Sequence, residues 1–196
     1  MTNNISAIVL AGGKSSRMGR DKALIPIQGI PMLQRIFNIA KNCVDPVYIV
    51  TPWPEHYQHL LLPGCEFIQE IPKFNVQCPL TGFAQGLEKV TTEWVLLLAC
   101  DLPNLKIEIL QDWVKRLENV ERDAIAILPQ SIKGWETLCG FYRCSSLPLL
   151  LDFISQGGTS FQKWLSQHSV AVLPLSEPEM LFNCNTPDDL ALTQEK

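Results

Sequence analysis

Trp94-Val-Leu-Leu-Leu-Ala99 is apolar at every position and runs straight into Cys100-Asp101. A half-solvated strand alternates apolar and polar residues. An uninterrupted apolar strand needs cover on both faces, the situation of a parallel sheet held between helical layers. Ile5–Leu10, Val47–Thr51, Cys65–Ile68 and Ala124–Leu128 read as further strands. Met32–Asn42, Thr81–Val90 and Ile107–Leu117 lie between them with helical period, and Leu33, Ile36, Phe37 and Ala40 trace one buried face. The alternation of strand and helix predicts an α/β fold, a mostly parallel Rossmann-like sheet flanked by helices. Beyond Leu128 the pattern loosens. Leu138–Tyr142 and Ser169–Leu173 read as strands, and Leu147–Gln156, Phe161–Gln167 and Pro187–Gln194 as helices, with Thr159 or Ser160 as a cap for the second of these.

In open parallel sheets, ligands bind beyond the carboxyl ends of the strands. Directly after Ile5–Leu10 comes Ala11-Gly12-Gly13-Lys14-Ser15-Ser16-Arg17-Met18-Gly19-Arg20-Asp21-Lys22. Gly12 and Gly13 lack Cβ atoms, so the turn can bring backbone N–H groups close to an anion. Lys14, Arg17, Arg20 and Lys22 add positive charge to this one loop, against a net charge of −4 for the whole chain. A nucleoside triphosphate suits that combination. Two better-known glycine loops are excluded by spacing: a P-loop ending at Gly13-Lys14-Ser15 would need glycine where Ile8 stands, and Gly12, Gly13 and Gly19 do not make Gly-x-Gly-x-x-Gly.

The run Leu10-Ala11-Gly12-Gly13-x-x-x-Arg17-Met18-Gly19-x-Asp21-Lys22-x-Leu24, with Gly29-x-Pro31-Met32 after it, resembles the signature of molybdenum cofactor guanylyltransferases. Pro79-Leu80-Thr81-Gly82, Cys100-Asp101-Leu102-Pro103 and Asn183-Cys184-Asn185-Thr186-Pro187-Asp188-Asp189-Leu190 agree with that family in order and spacing. The resemblance covers nearly the whole chain and implies a single nucleotidyltransferase domain over residues 1–196. It also implies transfer of GMP from Mg-GTP to molybdopterin, with pyrophosphate released and the guanine dinucleotide cofactor formed. Leu10, Ala11, Gly12, Gly13, Lys22, Glu70, Pro79, Leu80 and Asp101 would bind GTP. Arg17, Lys22 and Asp101 would be catalytic, and Asn183 and Asn185 would contact molybdopterin. Biosynthetic proteins that deliver the cofactor are left open as further partners.

Asp101 follows an apolar strand, where an unpaired acid is costly to bury. It reads either as a Mg²⁺ ligand, since Mg²⁺ takes one or two carboxylates plus phosphate oxygens, or as a turn-forming acid before Pro103. The resemblance favours the metal. Glu70 stands, one methylene longer, where the family usually has aspartate. Its carboxylate could accept from guanine N1–H and the exocyclic amine together; the alternative is an exposed loop charge. Asn185 reads equally as an Asx-turn ahead of a helix capped by Thr186. Departures from the family pattern are Cys78 in place of glycine, Thr51-Pro52 in place of asparagine, Trp135-Glu136 and Thr159-Ser160. Cytidylyl or sugar-phosphate nucleotidyl transfer, and a catalytically silent nucleotide-binding module, are the competing readings.

With 46% apolar and 18% charged residues, composition matches a soluble globular protein. No stretch reaches the roughly 18–20 consecutive apolar residues of a membrane span. The apolar run Ile5–Ala11 lacks the basic flank and cleavage site of a signal peptide, so a cytoplasmic protein with no membrane partner is expected. Basic charge confined to one loop of an acidic chain argues against nucleic acid. Seven cysteines without a Cys-x-x-Cys pair argue against a disulfide framework or structural zinc, and each reads as a reduced thiol packed like a small hydrophobe. His56 and His59, three apart with no cluster of carboxylates or cysteines beside them, make a poor metal pair.

Overall fold

In the computed structural model, residues 4–12, 20–60, 64–73 and 77–194 are described. Ten strands and six α-helices follow one another along them. β1 (Ile5–Leu10), a short hairpin of β2 (Pro26–Ile27) and β3 (Ile30–Pro31), α1 (Met32–Lys41), β4 (Val47–Thr51), β5 (Cys65–Gln69), α2 (Pro79–Leu87), β6 (Trp94–Ala99) and α3 (Ile107–Arg116) build the first part. β7 (Ala126–Ser131), β8 (Gly134–Trp135), β9 (Cys139–Arg143), α4 (Leu147–Ser155), α5 (Phe161–Leu165), β10 (Val170–Leu173) and α6 (Pro187–Gln194) complete it.

The main sheet has the order β10-β7-β9-β6-β1-β4-β5, with β8 paired to β7. β6, β1, β4 and β5 run parallel to one another, as do β7 and β10. β9 runs antiparallel between β6 and β7. The mostly parallel sheet expected from the apolar runs is therefore present, with β9 reversed inside it. Burial on both faces is the same for either direction, so hydrophobic pattern carries no signal for that reversal. The strand predicted at Ala124–Leu128 is paired from Ala126 and runs on to Ser131, where it turns onto β8.

Side-chain alternation divides the buried residues of the sheet between two cores. Ala7, Val9, Ile49, Leu96 and Leu98 face α1 and α3, meeting Leu33, Ile36, Phe37, Ala40, Leu110 and Trp113. Ile8, Val50, Val95 and Leu97 face the other way, onto Leu80, Phe83, Ala84 and Leu87 of α2 and onto Leu150, Ile154, Phe161 and Trp164 of α4 and α5. Gly86 lets α2 lie against the sheet, because a Cβ there would stand 2.8 Å from Ile8 Cδ1 and 3.0 Å from Val50 Cγ2. A smaller cluster of Ile25, Ile27, Met32, Cys184 and Leu190 fastens the hairpin and α6 to the start of α1. The hairpin turn has Gln28 at φ 51° and Gly29 at φ 82°, the paired left-handed geometry that favours glycine at its second position. Ser160 caps α5, its Oγ accepting from Lys163 N–H at 3.4 Å.

The order β5-β4-β1-β6 fixes where a ligand can sit. The chain steps outward from β1 to β4 and β5, then crosses back to lay β6 on the opposite side of β1. This reversal opens a crevice at the carboxyl ends of β1 and β6, the place where open α/β sheets bind ligands. No described helix is long and apolar enough to cross a membrane.

Candidate active site

β1 and β6 end level, with Leu10 paired to Ala99. Cys100 N–H donates to the Leu10 carbonyl at 3.2 Å, and Ala11 N–H donates to the Val50 carbonyl at 2.9 Å. The Ala11 amide is thus engaged within the sheet, which leaves its carbonyl as the group it can offer a nucleotide. Gly12 owes its identity to a neighbour as well as to any ligand: a Cβ at this position would lie 2.4 Å from Pro52 Cδ. Pro52 is one of the departures from the family pattern, and it packs where only glycine leaves room. Gly13, Lys14 and Arg17 lie outside the described residues.

The loop re-enters at Arg20 and Asp21. Asp21 caps a single 3-10 turn, Lys22–Leu24, by accepting from Ala23 N–H at 3.0 Å. Tyr57, fully buried, donates its hydroxyl to the other carboxylate oxygen of Asp21 at 2.5 Å. Burial first, and then the bond to Asp21, pushes the Tyr57 hydroxyl far above its ordinary range, so it remains a protonated donor. Lys22 is held at its base by this turn. Its Nζ donates to Asn185 Oδ1 at 2.6 Å and stands 3.5 Å from Asp101 Oδ2, with both charged side chains mostly buried. Burial raises the Asp101 carboxyl above its ordinary range, and Lys22 acts against that rise.

The strand-end acid and the C-terminal segment meet through the backbone too. Cys184 N–H donates to the Asp101 carbonyl at 3.0 Å. With Cys184 buried and Leu190 behind it, Asn185 is delivered to Lys22. Asp189 accepts from Asn185 N–H at 2.9 Å and Thr186 N–H at 2.8 Å, while Thr186 Oγ1 accepts from Asp189 N–H at 3.2 Å. These bonds account for the turn that the sequence offered as the alternative role of this segment. They leave the Asn185 side chain directed at the lysine, so turn and site coexist. Asn183 does not join the cluster: it is exposed, and its amide donates to the Leu181 carbonyl at 3.4 Å.

A second group assembles at the end of β5. Glu70 N–H donates to the Thr51 carbonyl at 2.8 Å, and its half-buried carboxylate lies over Gly82, where an added Cβ would be 3.5 Å from Oε2. Burial raises the Glu70 carboxyl, while a bond from the Gln77 side chain acts in the opposite direction. Glu70 and the first turn of α2 are therefore neighbours, as their joint assignment to the base required. Pro79 is exposed there, whereas the Leu80 side chain is fully buried in the core, so Leu80 can meet a ligand only through its backbone. Cys78, in place of the family's usual glycine, has φ −150°, a conformation open to any residue. Its N–H donates to Thr81 Oγ1 at 3.1 Å.

The structure thus brings Lys22, Asp101 and Asn185 into one cluster, and Glu70 with Pro79 and Leu80 into another, on the same edge of the sheet. Tyr57 and Gln85 were not singled out from sequence, because each acts through a partner remote in the chain. The seven cysteines are free thiols, with Cys139 and Cys184 buried and the others half-buried.

The MobA-like NTP transferase domain matches residues 7–172. The chain belongs to this family. It is 64% identical over 192 residues to a probable molybdenum cofactor guanylyltransferase of Nostoc sp., covering 98% of this chain and 91% of that protein. A relative with the same name in Synechococcus elongatus is 44% identical, covering 95% of this chain and 96% of its own length. Among solved structures, molybdopterin-guanine dinucleotide biosynthesis protein A of Archaeoglobus fulgidus superposes with a TM-score of 0.80 at 24% identity, with 97% of each chain covered. The chain is accordingly a nucleotidyltransferase of the MobA-like type.

Proposed function

We propose that this nucleotidyltransferase moves GMP from Mg-GTP to the phosphate of molybdopterin, releasing pyrophosphate and forming the guanine dinucleotide cofactor. The observation that carries this reading is the position of Lys22, between the acid at the end of β6 and the amide of the C-terminal segment. The loop that suits a triphosphate and the segment assigned to the acceptor therefore share one cation. The names of the Nostoc and Synechococcus relatives support the same reaction.

An oxygen of the acceptor phosphate attacks the α-phosphorus, a new P–O bond forms, and the bond to the bridging oxygen of pyrophosphate breaks. The acceptor phosphate is already ionised near neutral pH, so no side chain has to remove a proton. Positioning and electrostatic stabilisation dominate such transfers. Lys22 draws the triphosphate and the acceptor together and offsets the charge that builds on the α-phosphate oxygens. Arg17, in the same loop, holds the triphosphate tail. Asp101 fits a Mg²⁺ ion carried in with GTP, because it is a single, mostly buried carboxylate that already faces a cation. When bound, the ion supplies charge neutralisation at the phosphate oxygens. Leu10, Ala11 and Gly12 line the nucleotide through their backbone, Gly13 belongs to the same GTP-binding set, and Glu70 with the Pro79-Leu80 turn receives the base. Asn185 orients the acceptor, with Asn183 at the outer margin.

The test is product formation by the purified protein with Mg²⁺, molybdenum cofactor and either GTP or CTP. Guanine dinucleotide and pyrophosphate from GTP alone is the expected result. Product from CTP alone would overturn the base assignment, and product from neither would overturn the acceptor.

A further inference from the structure

Resting on the assignment of Glu70 to the base, we infer that Gln85 is a positioning residue for guanine selection, its side-chain amide clamping the backbone next to Glu70 to α2. Gln85 is 6% exposed, and a primary amide so buried must find partners for its donor and its acceptor. Both partners lie on a single residue. Gln85 Oε1 accepts from Ile71 N–H at 2.9 Å, and Gln85 Nε2 donates to the Ile71 carbonyl at 3.0 Å. The pair reproduces, with a side chain, the exchange of two bonds made by opposed residues of an antiparallel ladder. The Ile71 side chain is 52% exposed, so apolar packing does little to hold this position.

The consequence falls on Glu70. On its N-terminal side the Glu70 N–H is bound to Thr51 of β4 at 2.8 Å, and on its C-terminal side the next residue is bound to α2. Backbone motion is restrained from both directions, and the side-chain torsions alone are left to aim the carboxylate. Gly82 and Gln85 are three residues apart on one face of α2. The Glu70 carboxylate lies over the first at ordinary contact distance, and the second holds its backbone. α2 is itself seated by Gly86 against Ile8 and Val50, so the restraint passes from the sheet core through the helix to Glu70. Accepting from two adjacent base donors demands angular register, and the longer glutamate, with one more torsion than aspartate, needs the backbone fixed to keep it.

The experiment compares kcat/KM for GTP with that for ITP, whose base lacks the exocyclic amine but whose triphosphate is identical. General damage to the site, or a smaller folded fraction, cancels in that ratio. Gln85→Met keeps the unbranched shape and removes both bonds. It is expected to lower the GTP-to-ITP ratio about tenfold, chiefly through KM for GTP, with kcat changed less than about threefold. In a Glu70→Gln background the same change should leave the ratio where Glu70→Gln put it. Gln85→Asn, which retains an amide too short to span the gap, gives the same reading if Gln85→Met fails to fold. An unchanged ratio in the Gln85 variants, alongside a collapsed one in Glu70→Gln, would overturn the positioning role, as would independent losses that multiply in the double variant. An unchanged ratio in Glu70→Gln itself would reject the Glu70 assignment, and the Gln85 role with it.

Discussion

Lys22 and Asn185 are 163 positions apart in the chain, yet Lys22 Nζ donates to Asn185 Oδ1 at 2.6 Å. The bond closes the two ends of the fold over the carboxyl end of the sheet. On the proposed reading, it spans the boundary between the triphosphate and acceptor halves of the site. Asn185→Ala should therefore raise KM for the acceptor about tenfold, as expected for one lost hydrogen bond to a charged group, with KM for GTP within about twofold. Steady-state kinetics with each substrate varied in turn would check this. A larger effect on GTP would place Asn185 on the nucleotide side.

Asp101 combines two demands that oppose each other. Its charge is needed by the proposed reaction, and burial disfavours that charge. Between the ordinary carboxyl range and its raised value, the folded state binds more protons at Asp101 than the unfolded state does. Its contribution to stability therefore falls as pH rises through that window, while activity rises as the group ionises. The acid limb of kcat/KM should lie above the ordinary aspartate value of about 3.9. Asp101→Asn should cut kcat by about a thousandfold or more with no loss of melting temperature. A wild-type rate would remove Asp101 from the mechanism; a wild-type rate limb in the ordinary range would remove the burial argument.

Tyr57 touches Asp21 rather than any proposed ligand. Tyr57→Phe preserves the buried ring and deletes the hydroxyl that Asp21 accepts. A hydrogen bond to a charged group is worth about 1.5–3 kcal/mol, so a stability loss at the lower end is expected in chemical denaturation. With the turn that carries Lys22 loosened, GTP affinity measured by calorimetry should fall about fivefold, within the range for one such bond. Unaltered affinity would mean that Ala23 N–H alone suffices to hold Asp21.

The contact of Gly12 with Pro52 is steric and can be tested as such. Gly12→Ala should destabilise the protein by about 1–3 kcal/mol, the usual cost of overpacking. Pro52→Ala, which removes the Cδ atom that the new Cβ would strike, should recover part of that loss in the double variant. Additive losses in urea unfolding would show that the contact is not the cause.

What the chain declares on its own is what depends on local pattern. Apolar runs such as Trp94–Ala99 announced covered strands, and the spacing of Leu33, Ile36, Phe37 and Ala40 announced the buried face of α1. The resemblance of the motifs then named the chemistry. Four features needed the tertiary structure. β9 runs backward inside the sheet, Pro52 is the reason Gly12 has no room for a side chain, Asn185 rather than Asn183 reaches Lys22, and Gln85 holds the backbone beside Glu70. Periodicity reports how much of a segment is buried, which is a property of neighbouring residues. Strand direction, steric fit and hydrogen-bond partnership belong to residues that meet only after the chain has folded, and no local pattern carries them.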